Sequence, residues 1–192
     1  MYMQEKDIFD IINFFYPEEG NLKQTLLKHS LQVRDKALEL AEKTSLVLDR
    51  SVLAAGAMLH DIGIRKCHAP GIFCTGKKHY LCHGIEGATM LREYGAARGI
   101  DLEVFALICE RHTGSGLTAS DIAAQVLPLP RRDFLPLSPE EKLICLADKF
   151  FSKSGDMKEK SFDSVQRSMA KFGTESLERF NLMWDFFDFR SF

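Results

Sequence analysis

Apolar residues recur at helical spacing along most of the chain. Leu26, Leu27, Val33, Ala37, Leu38 and Ala41, with His29 and Ser30 among them, form one inward stripe. Asn21 stands ahead of that stripe as a helix-starting cap. Asp49 caps a second predicted helix over residues 51–60. That segment is apolar almost all round, which places it at the centre of the fold, and Gly63 supplies its stop. Residues 84–93 predict a third helix, closed by Gly95. Asp101 caps a fourth, with Leu102, Phe105, Ala106, Ile108 and Cys109 inward and Gly114 and Gly116 behind it. Thr118 and Asp121 have capping-box spacing and start a short fifth helix that ends before Pro128. Ser138-Pro139-Glu140-Glu141 joins a cap, a proline at the first helical position and a carboxylate three residues after the cap. The helix it starts runs through Leu143, Ile144, Leu146 and Ala147 to Phe150.

Two stretches break the period. Residues 64–81 contain Pro70, Gly71 and Gly76, and residues 127–137 carry three prolines. Both predict loops, and the first is long enough to serve as a lid or pocket wall. After Gly155, Phe162, Val165, Met169 and Phe172 line one amphipathic segment, and Leu177, Phe180, Trp184 and Phe187 line another. This aromatic stripe is expected in the core or on a dimer surface. No alternating, strand-like run of useful length is found. The expectation is an all-α helical bundle with long loops. One domain covers residues 1–192, with its core at about 21–155 and a helical extension at 156–192.

Composition narrows the function classes. Of 192 residues, 45% are hydrophobic, enough for a real core, and a charged fraction of 27% argues against disorder. Lys plus Arg number 25 and Asp plus Glu 27, so the net charge of −2 excludes a broad basic field for nucleic acid or membrane surfaces. The longest apolar run, 52–59, is far short of the roughly 20 residues that span a bilayer. Glu5, Asp7 and Asp10 interrupt residues 1–14, unlike a secretory signal. Five cysteines, an odd count, suit reduced thiols and a cytoplasmic location. Cys109 and Cys145 are expected as small buried hydrophobes. Cys67, His68, Cys74, His79 and Cys82 lack the tight spacing of a zinc knuckle, so no separate zinc site is expected there.

Six residues carry the candidate chemistry: His29, the pair His60-Asp61, His83, His112 and Asp148. Each lies on a predicted helix or at its end, flanked by apolar residues, so each side chain is expected to point inward. Any one histidine reads as an ordinary core residue. Asp148 is harder to place, because a carboxylate within the apolar run 143–151 needs a partner or a metal. Imidazoles and carboxylates together suit iron, manganese, zinc or magnesium. Residues 60 and 61 can straddle a metal if the helix ends there, and Asp61 has two oxygens with which to bridge two ions. His29, His60 and Asp148 could then hold one ion, and His83 and His112 the other.

With these motifs the sequence resembles the HD-domain superfamily of metal-dependent phosphohydrolases. The resemblance rests on His29, His60-Asp61-Ile62-Gly63, His83-Gly84-Ile85-Glu86-Gly87-Ala88, Glu110-Arg111-His112-Thr113-Gly114 and Leu146-Ala147-Asp148-Lys149. It implies an all-α HD-type bundle. It also implies a dinuclear site in which His83 and His112 bind the second of two divalent ions (Fe, Mn, Zn, Co or Mg). The substrate expected is a phosphomonoester, phosphodiester or phosphoanhydride of a nucleotide or related small molecule, cleaved by a metal-bound hydroxide. The lysine that follows HDIG in cyclic-di-nucleotide phosphodiesterases is replaced by Ile64, and no GYP triplet occurs, which argues against cyclic-di-GMP.

His60, Asp61, Arg111 and Lys149 are the expected catalytic residues, and Arg65, Lys78, His79 and Arg131 the expected substrate contacts. Neither a membrane nor nucleic acid is expected as partner, and a homodimer is left open. Two other functions fit the same ligands: a mixed-valent di-iron oxygenase, and a non-catalytic metal-binding sensor.

Overall fold

A helix that is apolar all round must be surrounded, and here that helix is α3 (Arg50–Leu59), in the computed structural model, which describes residues 3–189. Leu53, Ala55, Gly56, Ala57, Met58 and Leu59 are all buried. Around α3 pack α1 (Glu5–Phe15), α2 (Asn21–Glu42), α5 (Glu103–Arg111) and α7 (Pro139–Lys149). Then α4 (His83–Ala96) lies on α5, with α6 (Ala119–Ala124), α8 (Phe162–Ala170) and α9 (Thr174–Phe186) completing the helices. The fold is all-α, as the helical periodicity implies.

The helix starts follow local chemistry. The Asp49 carboxylate accepts the N–H groups of Ser51 and Val52 at 2.9 and 3.1 Å. Thr118 and Asp121 form a reciprocal capping box at the head of α6. Ser138 Oγ accepts the Glu141 N–H at 3.1 Å, with Pro139 in the first helical position of α7. Each such cap is worth about 1 kcal/mol.

Several boundaries differ from the sequence expectation. Gly20, not Asn21, stands at the cap of α2, and Asn21 is already helical. Helix α4 runs through Gly95 to Ala96, and the left-handed residue beyond it is Gly99, at φ 65°. Residues 64–81 hold more structure than a loop. A tight turn at Ile62–Lys66 leads into a two-stranded antiparallel ribbon, β1 (His68–Ala69) with β2 (Cys74–Thr75), in which His68 pairs with Thr75 and Ala69 with Cys74. Helix α1 was not anticipated. It leads to Tyr16, whose hydroxyl donates to Ile62 O at 2.8 Å and accepts the Arg65 N–H at 3.2 Å, pinning the turn after residue 61.

Gly63 acts by lacking a side chain. A Cβ there would lie 2.1 Å from His83 O and 2.3 Å from Gly87 N. A Cβ at Gly84 would lie 2.4 Å from Cys109 O. These two contacts let the turn, α4 and α5 approach backbone to backbone, and so draw residues 61, 83 and 112 together. At the far end, α9 packs on α7 and α8, with Val165, Met169, Phe180, Met183 and Phe187 buried. Phe172 departs from this stripe and is 66% exposed.

Candidate metal centre

The six residues singled out from the sequence meet at one point, although they come from five helices. His29 lies midway along α2. His60 ends α3 and Asp61 follows it, His83 opens α4, His112 ends α5, and Asp148 sits in the last turn of α7. All six are buried. Asp61 leaves the helical path at φ −104°, which lets it and His60 serve the same centre although they are adjacent.

Asp61 divides the cluster. Its Oδ2 lies 3.3 Å from His29 Nε2 and 3.1 Å from His60 Nε2. Asp148 Oδ1 completes that group, 2.9 Å from His29 Nε2 and 3.6 Å from His60 Nε2. Asp61 Oδ1 faces the other side, 3.4 Å from the Nε2 atoms of both His83 and His112. The result is two potential metal-ligating groups that share Asp61.

The histidines are oriented by their own backbone. Nδ1 of His60, His83 and His112 donates to the carbonyl three residues earlier, in Ala57, Tyr80 and Cys109, at 2.7, 2.6 and 2.7 Å. Helix ends leave such carbonyls free. An Nδ1–H bond leaves Nε2 to carry the lone pair whenever the ring is neutral, and burial keeps His83 and His112 neutral. In that tautomer the His83 and His112 lone pairs point at each other across 3.0 Å. Two neutral acceptors facing at that distance repel unless a cation lies between them. His60 Nε2 and both Asp61 oxygens are likewise buried without a well-formed hydrogen bond. The donor set is therefore incomplete by itself, and its chemistry fits divalent metal.

The electrostatics point the same way. Burial alone would raise Asp61 and Asp148, yet both are held well below the usual carboxylate range. The opposing charges are His60 and Lys153 for Asp61, and Lys149 and Lys153 for Asp148. Burial would lower His60, but the facing Asp61 and Asp148 carboxylates outweigh it and push it up to about 9. Burial and Lys153 bring His29 down to about 4, while burial and His112 bring His83 down to about 3. The two carboxylates thus draw positive charge from His60, Lys149 and Lys153 on every side.

A cavity of about 620 Å³ opens beside the cluster, with Tyr80, Asp148, Lys149, Lys153, Lys160 and Phe172 on its walls. Ala69, Gly71 and Ile72 also line it, so the ribbon segment forms part of the pocket wall. Lys149 Nζ lies 2.5 Å from Asp148 Oδ2 and 3.0 Å from His112 O.

The other expected contacts are engaged elsewhere. Arg111 turns from the centre and pairs with Glu141 at 3.1 and 3.2 Å. Arg65 covers the Tyr16 ring, 5.3 Å from its centroid. Lys78 faces Glu86 at 3.5 Å, and the His79 ring accepts the Leu81 N–H. Arg131 is exposed, and none of these five lines the cavity.

Two contributors were missed. Lys153 Nζ lies 2.7 Å from Asp61 Oδ2, and the Tyr80 ring stacks on His83 at 4.7 Å between centroids. Only the position of Lys153 five residues beyond Asp148 hinted at the first, and no sequence signal marked the second. The cysteine-rich stretch sends its thiols to backbone: Cys67 to Gly63 O, Cys74 to Ile72 O and Cys82 to Pro128 O.

A family model, the HD domain, matches residues 26–152. An uncharacterised protein of Methanocaldococcus jannaschii is 35% identical over 128 residues, 65% of this chain and 65% of that protein. Two proteins named tRNA (cytidine(56)-2'-O)-methyltransferase are also similar. That of Picrophilus torridus is 33% identical over 132 residues, 69% of this chain and 33% of its own length. That of Thermoplasma volcanium is 31% identical over 154 residues, 80% of this chain and 39% of its own length. The chain thus spans less than two thirds of each of these relatives. No solved structure matches it.

Proposed function

The chain belongs to the HD-domain family, and from that premise we propose that it is a phosphohydrolase whose histidine–aspartate cluster holds divalent metal. The substrate in this reading is a phosphomonoester, phosphodiester or phosphoanhydride of a nucleotide or related small molecule. What supports it is one juxtaposition: a buried donor set split in two by Asp61, opening onto a cavity with Lys149, Lys153 and Lys160 on its walls.

His29, His60, Asp148 and Asp61 Oδ2 would hold one ion, and His83, His112 and Asp61 Oδ1 a second. Divalent metal, when bound, supplies Lewis acidity and a water acidified to near neutral pH. The chain does the rest. The carbonyls of Ala57, Tyr80 and Cys109 keep three imidazoles in tautomer and orientation. Lys149, tied to Asp148 and to His112 O, presents a fixed ammonium to the cavity. Charge that develops on phosphoryl oxygens meets that ammonium without rearrangement. Tyr80 and the ribbon wall screen the centre from bulk water, which strengthens these interactions.

The lysine-lined cavity favours an anionic substrate, as a phosphate ester is. Methyl transfer does not carry over from the two named relatives, because most of each lies outside the shared stretch. The tRNA in their names is in keeping with a nucleotide here. Elemental analysis, followed by a nucleotide and phosphoester panel with Mn²⁺, Fe²⁺, Co²⁺ or Mg²⁺, tests the reading. About two metal equivalents and phosphate or nucleoside release from one substrate class are expected. Asp61→Ala is expected to lose both metal and hydrolysis while keeping its helical circular dichroism. Full activity in metal-depleted Asp61→Ala protein would overturn the reading.

A further inference from the structure

Lys153 follows α7 in the segment that leads to α8, outside every helix that carries a ligand. Its ammonium is nonetheless at the centre. Nζ lies 2.7 Å from Asp61 Oδ2, the same oxygen that His29 and His60 face. The side chain is 14% exposed and also lines the cavity, so it stands where the ligand cluster meets the substrate space. Lys149 is held twice, by Asp148 and by His112 O. Lys153 differs: among the described residues its one ion pair is with Asp61, and its ammonium otherwise faces the Tyr80 ring, 6.0 Å from the centroid.

A divalent ion at Asp61 would compete with that ammonium for the same oxygen. Once the ion is in place, the attraction that holds Lys153 becomes repulsion. The flexible four-carbon stem can swing without moving backbone, and the open direction is the cavity. There Lys160 adds to the positive field, since among the described residues its ammonium is bonded to the carbonyl oxygens of Lys149 and Phe151, at 3.3 and 3.4 Å, and to no carboxylate. A phosphate oxygen is the acceptor that suits an ammonium in that place.

Resting on the metal-dependent reading above, we propose that Lys153 is a movable anion-binding cation: it is the counter-ion of Asp61 in the metal-free protein and binds substrate phosphate once metal has taken Asp61. Metal and phosphate then bind cooperatively, because each favours the same position of one side chain.

The test compares wild-type protein with Lys153→Met and Lys153→Arg. Mn²⁺ binding is read from the paramagnetic resonance of the free ion. Inorganic phosphate binding to manganese-loaded protein is read by calorimetry. Lys153→Met is expected to bind Mn²⁺ about tenfold tighter, since a competing charge is gone. Its manganese-loaded form is expected to bind phosphate about tenfold more weakly. Lys153→Arg keeps the charge and is expected to stay near wild type in both. A merely structural lysine predicts the reverse for metal, a weaker affinity on removal. Unchanged or weaker manganese binding by Lys153→Met, or unchanged phosphate affinity, overturns the proposal alone. Lys153→Gln gives the same readings if methionine disturbs packing. Failure of wild-type protein to take up any of Mn²⁺, Fe²⁺, Co²⁺ and Mg²⁺ overturns the metal-dependent reading and this proposal with it.

Discussion

Arg111 precedes His112 in sequence, yet its guanidinium grips the carboxylate of Glu141, which is only 6% exposed. Glu141 also accepts the Leu137 N–H at 3.0 Å, so the pair ties α5 to the start of α7. Arg111→Ala would leave that carboxylate buried without its cation. It is expected to lose about 3 kcal/mol of stability while keeping its metal content, measured by denaturant unfolding and elemental analysis. Loss of metal at unchanged stability would return Arg111 to the centre. Residues of this kind decided what could be read from sequence. The histidines and Asp148 were legible because ionisable groups within apolar helix faces demand partners. Arg111, Arg65 and Lys78 lie on Glu141, Tyr16 and Glu86, because adjacency in sequence does not say which way a long side chain turns. Lys153 was missed because a lysine in an aperiodic segment resembles any solvated charge.

At the scale of the element, the caps at Asp49, Thr118 and Ser138 were legible because they are written within four residues of chain. The ribbon was not, since two-residue strands leave no alternation to detect, and its shape depends on Tyr16 and on the close approach at Gly63. Gly63 reads from sequence as a helix stop, whereas its part in the fold is to admit α4. The Gly84 contact makes this testable. Gly84→Ala puts a methyl group against Cys109 O and must push α4 from α5. It is expected to cost about 1–3 kcal/mol and to lower bound metal from two equivalents toward one. The group of His29, His60 and Asp148 does not cross the α4–α5 seam and should keep its ion. Equal loss from both groups in a metal titration would show that the two are not separable.

For the whole molecule, metal removal and acidity act on the same balance. In chelated protein His29 and His83 are depressed to about 4 and about 3, below the ordinary 6.5. An unfolded chain takes up protons below about pH 6.5 that these buried rings refuse, so stability falls as pH drops from there. His60, raised to about 9, has the opposite sign: its contribution is full below about 6.5 and is lost as pH rises through 9. The melting temperature of chelated protein is expected to peak near pH 6.5 and to fall on both sides. Added Mn²⁺ should raise it in a concentration-dependent way. A flat profile between pH 4 and 9 would remove the histidines from this balance.

The contact between His29 and Asp148 joins positions 119 residues apart. Metal coordinated there would work as a reversible staple on the chain, closing a loop longer than half the molecule. Such a closure restricts the unfolded ensemble much as a cross-link does, but it is made and undone by ion supply rather than by oxidation. The fold would then be a gauge of the metal around it, holding its five ligand-bearing helices in register when ions are plentiful and slackening when they are scarce.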